Sequence, residues 1–232
     1  MNVLFIGNSH TYFNDMPQLF RQMCESLGVR KPNVTMLAYS GRTLRWHTKE
    51  YFSIRFALLY GQFDYCVIQQ LGHPFPGLEK TEPEVKMLVS LCRSVGTKPV
   101  LYMTWAKKEN PGLISEISKV YRTLSERYDT LLAPIGELFE TLRVQHPEIE
   151  LYWSDGSHAS KNASYLIAAT FAALLTGQTD LDSLTEQSID FDAHFDAEHP
   201  YAREDRNSLS VSIDPETARI LRESAAACAI RK

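Results

Sequence analysis

The chain has 232 residues, of which 44% are hydrophobic and 22% are charged, and its formal net charge is −4. This length and composition are typical of a globular protein with one main domain and a substantial core. The acidic balance argues against a nucleic-acid partner, and no apolar stretch approaches the length of a membrane span. We therefore expect a globular protein with neither a nucleic-acid nor a membrane partner.

The four cysteines are scattered through apolar patterns and lack the spacing of a metal site; they are Cys24, Cys66, Cys92 and Cys228. We interpret them as buried free thiols, which are typical of a reducing compartment. The sequence begins directly with a run that resembles a core strand, without a secretory leader ahead of it. These features predict a cytoplasmic protein, an expectation that a leader removed before Met1 would change.

Short apolar runs alternate along the chain with segments of helical periodicity. The runs predicted as strands are 2–6, 33–39, 64–69, 99–105 and 130–134. Apolar residues at helical spacing predict helices over 16–27, 44–59, 82–95, 114–128, 136–145 and 161–175. Such alternation is typical of a parallel sheet with helices on both faces. We predict an α/β fold: a three-layer α/β/α sandwich, flavodoxin-like, with a central parallel sheet of about five strands.

The character of the sequence changes after Gly177. Residues 179–207 are polar and acidic without a clear period, which predicts a loop on the surface. Asp214 is then expected to cap a final helix. We divide the chain into a main domain over 1–178 and an appendage over 179–232 that packs on it.

The first predicted strand is followed at once by a glycine, an asparagine and Ser9. Ligands of open α/β sheets bind at the carboxyl ends of the strands, where Ser9 would lie. A serine on a strand-to-helix turn can present its hydroxyl to a substrate beside free helix N–H groups. Local sequence alone favours the plainer interpretation, in which Ser9 only caps the turn.

A carboxylate and an imidazole near the end of the main domain change that balance. A serine hydroxyl is a weak nucleophile until a base removes its proton, and the base needs a third group to orient it. Asp155 and His158 are three residues apart in a predicted loop, just before the helix over 161–175. From there they can reach the same sheet edge as Ser9. A plain surface loop remains the alternative, because Asp-x-x-His pairs are common by chance.

Three blocks of the sequence resemble the SGNH hydrolases, also called GDSL hydrolases. The blocks are Gly7-Asn8-Ser9, Tyr39-Ser40-Gly41 and Asp155-x-x-His158. They occur in the family's order over most of the chain, with Asn8 where the family usually has Asp. The chain looks closest to a subgroup of uncharacterised bacterial SGNH-like proteins that share Gly-Asn-Ser and a Gln after the third strand.

The resemblance implies a serine esterase that forms an acyl-enzyme on Ser9 and needs no metal or cofactor. In the family, backbone N–H groups at the positions of Ser9 and Gly41 hold the oxyanion, and an Asn of a Gly-x-Asn-Asp block donates a third hydrogen bond. Here that Asn is missing, and Gln69 and Gln70 follow the third strand. Because a Gln amide carries the same donors on a longer stem, we predict Gln69 first and Gln70 second as the replacement. Both could equally be polar residues that begin a loop.

The family acts on acyl esters of carbohydrates, lipids and small molecules. We expect a short acyl group, such as an acetyl group on a carbohydrate or small molecule, because no interfacial helix is apparent. The alternative is a weak or inactive carbohydrate-binding or scaffold protein of the same fold, which the missing Asn supports. Trp105 could line a sugar-binding wall or pack the loops at the rim. His194 and His199 fit no metal spacing, so no metal is expected.

Overall fold

The structure, a computed structural model, describes residues 1–184 and 212–230. Its centre is a five-stranded sheet in the order β2-β1-β3-β4-β5, and every neighbouring pair is parallel. The strands are β1 (Asn2–Gly7), β2 (Asn33–Ala38), β3 (Tyr65–Gln69), β4 (Lys98–Tyr102) and β5 (Leu131–Ala133). All five predicted strands are therefore present, with ends that differ by at most three residues.

Helices cover both faces of this sheet. They are α1 (Ser9–Tyr12), α2 (Met16–Ser26), α3 (Leu44–Lys49), α4 (Tyr51–Tyr60), α5 (Gly77–Ser94), α6 (Ile114–Arg127), α7 (Ile135–Gln145), α8 (Lys161–Thr176) and α9 (Pro215–Ile230). Alternate residues of β1 point to opposite faces: Phe5 packs with α2, α7, α8 and α9, whereas Ile6 packs with α3 to α6. The predicted three-layer sandwich is confirmed.

Two helices differ from the periodicity of the sequence. The helix predicted over 44–59 is two helices, because the backbone of Glu50 leaves helical geometry at ψ 39°. Apolar spacing continues across the break and conceals it. Helix α5 begins at Gly77 and accommodates Pro83 in its interior. A proline lacks the N–H of a helix interior, so the sequence favoured a later start.

The carboxyl-terminal helix adds to the same core. Asp214 caps α9 as predicted, since its Oδ1 accepts a hydrogen bond from the Thr217 N–H at 3.0 Å. Leu221 and Ala225 are buried with residues of α8. The division of the chain at residue 178 stays a prediction, and most of the predicted surface loop, including His194 and His199, lies outside the described residues. None of the described helices is both long and apolar enough to cross a membrane.

Candidate active site

Ser9 lies where β1 ends and α1 begins, in a turn that Asn8 organises. The Asn8 Oδ1 accepts from the His10 N–H at 3.1 Å and so caps α1. The Asn8 Nδ2 donates to the carbonyl of Arg42, after β2, at 3.0 Å. The Asn8 N–H donates to Gln69 Oε1, at the end of β3, at 2.8 Å. Three neighbouring strands therefore fix the position of Ser9.

Gly7 is required in this turn by close packing. An added Cβ would collide with Thr11 Oγ1 and Gln69 Oε1. The Gly7 carbonyl also accepts from the Tyr39 N–H at 3.1 Å and lies 2.7 Å from His47 Nε2. Burial lowers the pKa of His47, so the ring is neutral and carries its proton on Nε2, which donates to this carbonyl.

The structure brings the three residues predicted as a triad together. His158 Nε2 is 2.8 Å from Ser9 Oγ, and His158 Nδ1 is 2.5 Å from Asp155 Oδ2. Burial opposes ionisation of Asp155, but hydrogen bonds from the His158 ring and from two backbone N–H groups outweigh it and lower its pKa to about 2. Because Asp155 is ionised, Nδ1 carries the proton of a neutral ring. Nε2 then accepts the hydrogen bond of the Ser9 hydroxyl.

The loop that carries Asp155 and His158 is hydrogen-bonded to the segment that follows β4. Asp155 Oδ1 accepts from the N–H groups of Ser157 and His158, both at 2.9 Å. The indole of Trp105 donates to the Ser157 carbonyl at 2.8 Å. The ring of Phe13 stacks on His158 with a centroid distance of 4.4 Å. The base is therefore held on one side by the nucleophile turn and on the other by the loop after β4.

The two glutamines predicted as oxyanion donors are engaged in packing. Both are 1% exposed. Gln69 Oε1 accepts from Asn8 and from Thr11 Oγ1, and its Nε2 donates to the Gln70 carbonyl. Gln70 Oε1 accepts from the N–H groups of Leu44 at 3.0 Å and Leu71 at 2.8 Å. Gln70 Nε2 donates to a threonine of α5 at 3.3 Å. In this geometry both side chains make buried hydrogen bonds within the fold, and their oxyanion role stays a prediction.

Gly41 lies where the second block predicted it, in the turn directly after β2. Its φ of 67° is in the left-handed region that favours glycine, and an added Cβ would meet no atom within 4 Å. Backbone conformation, and not crowding, therefore explains this glycine.

A cluster of rings beside the candidate triad was not predicted. His10 stacks on Trp105 at 4.8 Å and meets the rings of His73 at 5.2 Å and His158 at 5.3 Å edge-on. Burial is the largest cause of a lowered pKa at both residues, and neighbouring basic side chains add to it while Asp155 opposes it. The pKa is about 3 for His10 and about 4 for His73. Within the described chain, His10 Nδ1 and His73 Nε2 are buried without a hydrogen-bond partner.

Trp105 has a different place from the sugar-binding wall considered for it. Its side chain is completely buried, and it stacks on Phe139 at 4.3 Å. It packs the loops, which was the other interpretation of this residue.

The sequence positions of the two histidines could have indicated the ring cluster, because His10 directly follows Ser9 and His73 follows β3. Among the described side chains, no group of three or more His, Cys, Asp or Glu is arranged to hold a metal ion.

Comparison with solved structures places this fold. A lipase/acylhydrolase from Enterococcus faecalis superposes with a TM-score of 0.61 and 17% identity over 76% of this chain and 95% of that protein. A member of the lipolytic G-D-S-L family from Veillonella parvula gives 0.57 and 13%, over 75% and 97%. An Axe2 variant, an acetyl-xylooligosaccharide esterase from Geobacillus, gives 0.56 and 17%, over 75% and 92%.

Neither a protein-family model nor a curated protein sequence matches this chain. The likeness is therefore one of backbone architecture, with sequence identity below one fifth in each of these superpositions. The predicted resemblance is confirmed at that level: the chain has the fold of the SGNH/GDSL hydrolases.

Proposed function

We propose that this protein is a serine esterase that hydrolyses a short-chain acyl ester through an acyl-enzyme on Ser9. The observation that carries the proposal is the continuous line of hydrogen bonds from Ser9 through His158 to Asp155. A nucleophile, a base that faces it and a carboxylate that orients the base are the parts that acyl transfer needs. The fold neighbours named as lipolytic proteins and esterases support the same reaction class.

In the proposed reaction, His158 Nε2 accepts the Ser9 proton while Oγ forms a bond to the ester carbonyl carbon. Asp155 stabilises the imidazolium that results. The bond to the leaving alcohol then breaks, and His158 returns its proton to that alcohol. Water attacks the acyl-enzyme, gives a proton to His158 and releases the carboxylic acid, and the proton returns to Ser9.

The oxyanion would be held by the backbone N–H groups of Ser9 and Gly41. A third donor from Gln69 or Gln70 conflicts with the contacts that their amides make. His73 is the remaining candidate, because it follows β3 and its Nε2 has no partner among the described residues. A neutral imidazole can carry a proton on Nε2 and donate it.

The acyl group that we propose is short, and an O-acetyl group on a carbohydrate or small molecule is the first choice. One fold neighbour is named as an acetyl-xylooligosaccharide esterase, which supports this choice for the present chain.

We also propose a cytoplasmic location, which the four free cysteines support. The other hydrogen bonds made by the Gln69 and Gln70 amides favour one alternative, a weak or inactive carbohydrate-binding or scaffold protein with this fold.

The test is hydrolysis of p-nitrophenyl acetate together with labelling by a fluorophosphonate. We expect turnover and a single adduct on the peptide that contains Ser9. Ser9→Ala should lose both, and Ser53→Ala, at an exposed position of α4, should keep both. A folded protein that neither turns over the ester nor forms the adduct would exclude the esterase and leave the binding-protein alternative.

A further inference from the structure

Helix α4 exposes three aromatic rings on one face. Phe52, Phe56 and Tyr60 recur every four residues and are 72%, 53% and 72% exposed. The opposite face buries Ile54 and Leu58 in the core. Scattered apolar side chains are normal on a protein surface, but a continuous stripe of aromatic rings marks an interaction surface.

The charge around this stripe is opposite to that of the whole chain. Residues 42–60 hold four basic residues and one acidic residue, a net charge of +3, while the chain carries −4. Arg45 is paired with Glu84 at 3.1 Å. Within the described part of the chain, no ion pair involves Arg42, Lys49 or Arg55. Lys49, next to the start of α4, and Arg55, within α4, therefore make no ion pair in the described part of the chain.

The basic and aromatic groups are also in direct contact. The Arg55 guanidinium is 5.7 Å from the centroid of Phe56. Phe56 and Tyr60 contact each other at 5.6 Å. We call the set Lys49, Phe52, Arg55, Phe56 and Tyr60 the aromatic–basic surface.

We propose that the aromatic–basic surface docks the protein on the headgroups of an anionic lipid bilayer. Aromatic side chains are enriched at the level of lipid headgroups, where one end of the ring is apolar and the other is wet. Basic residues close to an anionic leaflet add electrostatic attraction. With ten residues, α4 is too short to cross a bilayer, so the contact is peripheral.

The charges argue against a second copy of this chain as the occupant. A two-fold dimer places a surface patch against itself, which would bring the net positive charge of this patch against an identical positive patch. Anionic headgroups complement these cations instead. The length and hydrophobicity of the helices in the sequence predicted no membrane partner, because neither property reports a short helix with exposed rings and cations. Docking does not depend on the proposed esterase activity.

The experiment is sedimentation of the full chain with vesicles, using phosphatidylcholine alone and phosphatidylcholine mixed with phosphatidylglycerol. We expect binding to the mixed vesicles, weakened by added salt, and little binding to phosphatidylcholine. Phe52→Ser/Phe56→Ser and Lys49→Gln/Arg55→Gln should each weaken binding by about tenfold or more. The controls are Val144→Ser, at an exposed site on α7, and Lys86→Gln/Lys119→Gln, at exposed sites on α5 and α6; both should bind like the wild type.

The far-UV circular dichroism spectra and melting temperatures of all these variants should match those of the wild type, which shows that they are folded. If the double serine variant does not fold, the charge variant decides alone. The proposal is overturned if the wild type binds neither vesicle, or if the surface variants bind as well as the controls. It is also overturned if the same variants abolish a dimer in sedimentation velocity while vesicle binding is absent.

Discussion

Replacing Gln69 with leucine tests whether this side chain is structural or catalytic. In the folded protein, its Oε1 accepts from the Asn8 N–H at 2.8 Å and from the Thr11 hydroxyl at 3.0 Å, in a site that is 1% exposed. Leucine has a similar size but no acceptor, so two buried donors lose their partner. Each unsatisfied buried donor costs about 1–3 kcal/mol. The free energy of unfolding should therefore fall by about 2–6 kcal/mol.

For a chain of this size, such a loss lowers the melting temperature by on the order of 10 °C. The assay is thermal and urea unfolding followed by circular dichroism, with kcat for p-nitrophenyl acetate measured well below the transition. Gln22→Leu is the matched control, because that half-buried side chain on α2 makes no hydrogen bond with the described residues. The control should unfold like the wild type.

A catalytic role predicts a different result. An oxyanion donor acts in the transition state, so its removal lowers kcat by about 10²–10³ while the folded protein is unaffected. If Gln69→Leu keeps the wild-type free energy of unfolding and loses kcat to that extent, the structural reasoning is refuted. Gln69 would then have to turn its amide towards the substrate.

Three further results are expected. Asp155→Asn should lower kcat by about 10³–10⁴-fold in the ester assay, because the amide no longer fixes the His158 tautomer; retained activity would remove Asp155 from the mechanism. His73→Ala should lower kcat by about 10²-fold with KM little changed if its Nε2 serves the oxyanion, and wild-type kcat would exclude that role. The pKa of buried His10 falls from 6.5 to about 3 on folding, so the unfolded chain binds the extra proton between these values. Stability should fall by about 2 kcal/mol per such histidine from pH 6.5 to 5, and urea titrations of His10→Gln should show a smaller loss.

The sequence predicts where the three candidate catalytic residues lie in the fold, because each is identified by the residues next to it. Ser9 follows a strand and a glycine, and Asp155 and His158 share one short loop before a capped helix. In a parallel sheet, such positions meet at the carboxyl edge, whatever the details of packing. The positions made it possible for the three residues to meet, and the resemblance of the three blocks made them a predicted triad; in the structure His158 contacts both Ser9 and Asp155.

The features of the site that were not predicted depend on contacts between segments that are distant along the chain. The sequence shows that Gln69 ends β3, but not that its amide packs beneath Asn8 and Thr11. Likewise, the ring contact of His10 with His73 forms between α1 and the loop after β3, which are remote along the chain. The break at Glu50 is a property of one backbone angle, which apolar periodicity does not record. The pattern of apolar and polar residues does not predict the direction in which a side chain points at the end of a strand.

The hydrogen bond between Ser9 and His158 joins residues that are 149 positions apart. The nucleophile turn is fixed by β2 and β3, whereas the loop of the base is fixed to the chain after β4 through Trp105. The two halves therefore meet only in a structure in which β4 is paired and the loop before α8 is docked. Because long-range contacts pay loop-closure entropy before they form, we expect the proposed esterase activity to return late on refolding. Recovered activity would then report a completed sheet more faithfully than recovered helix content.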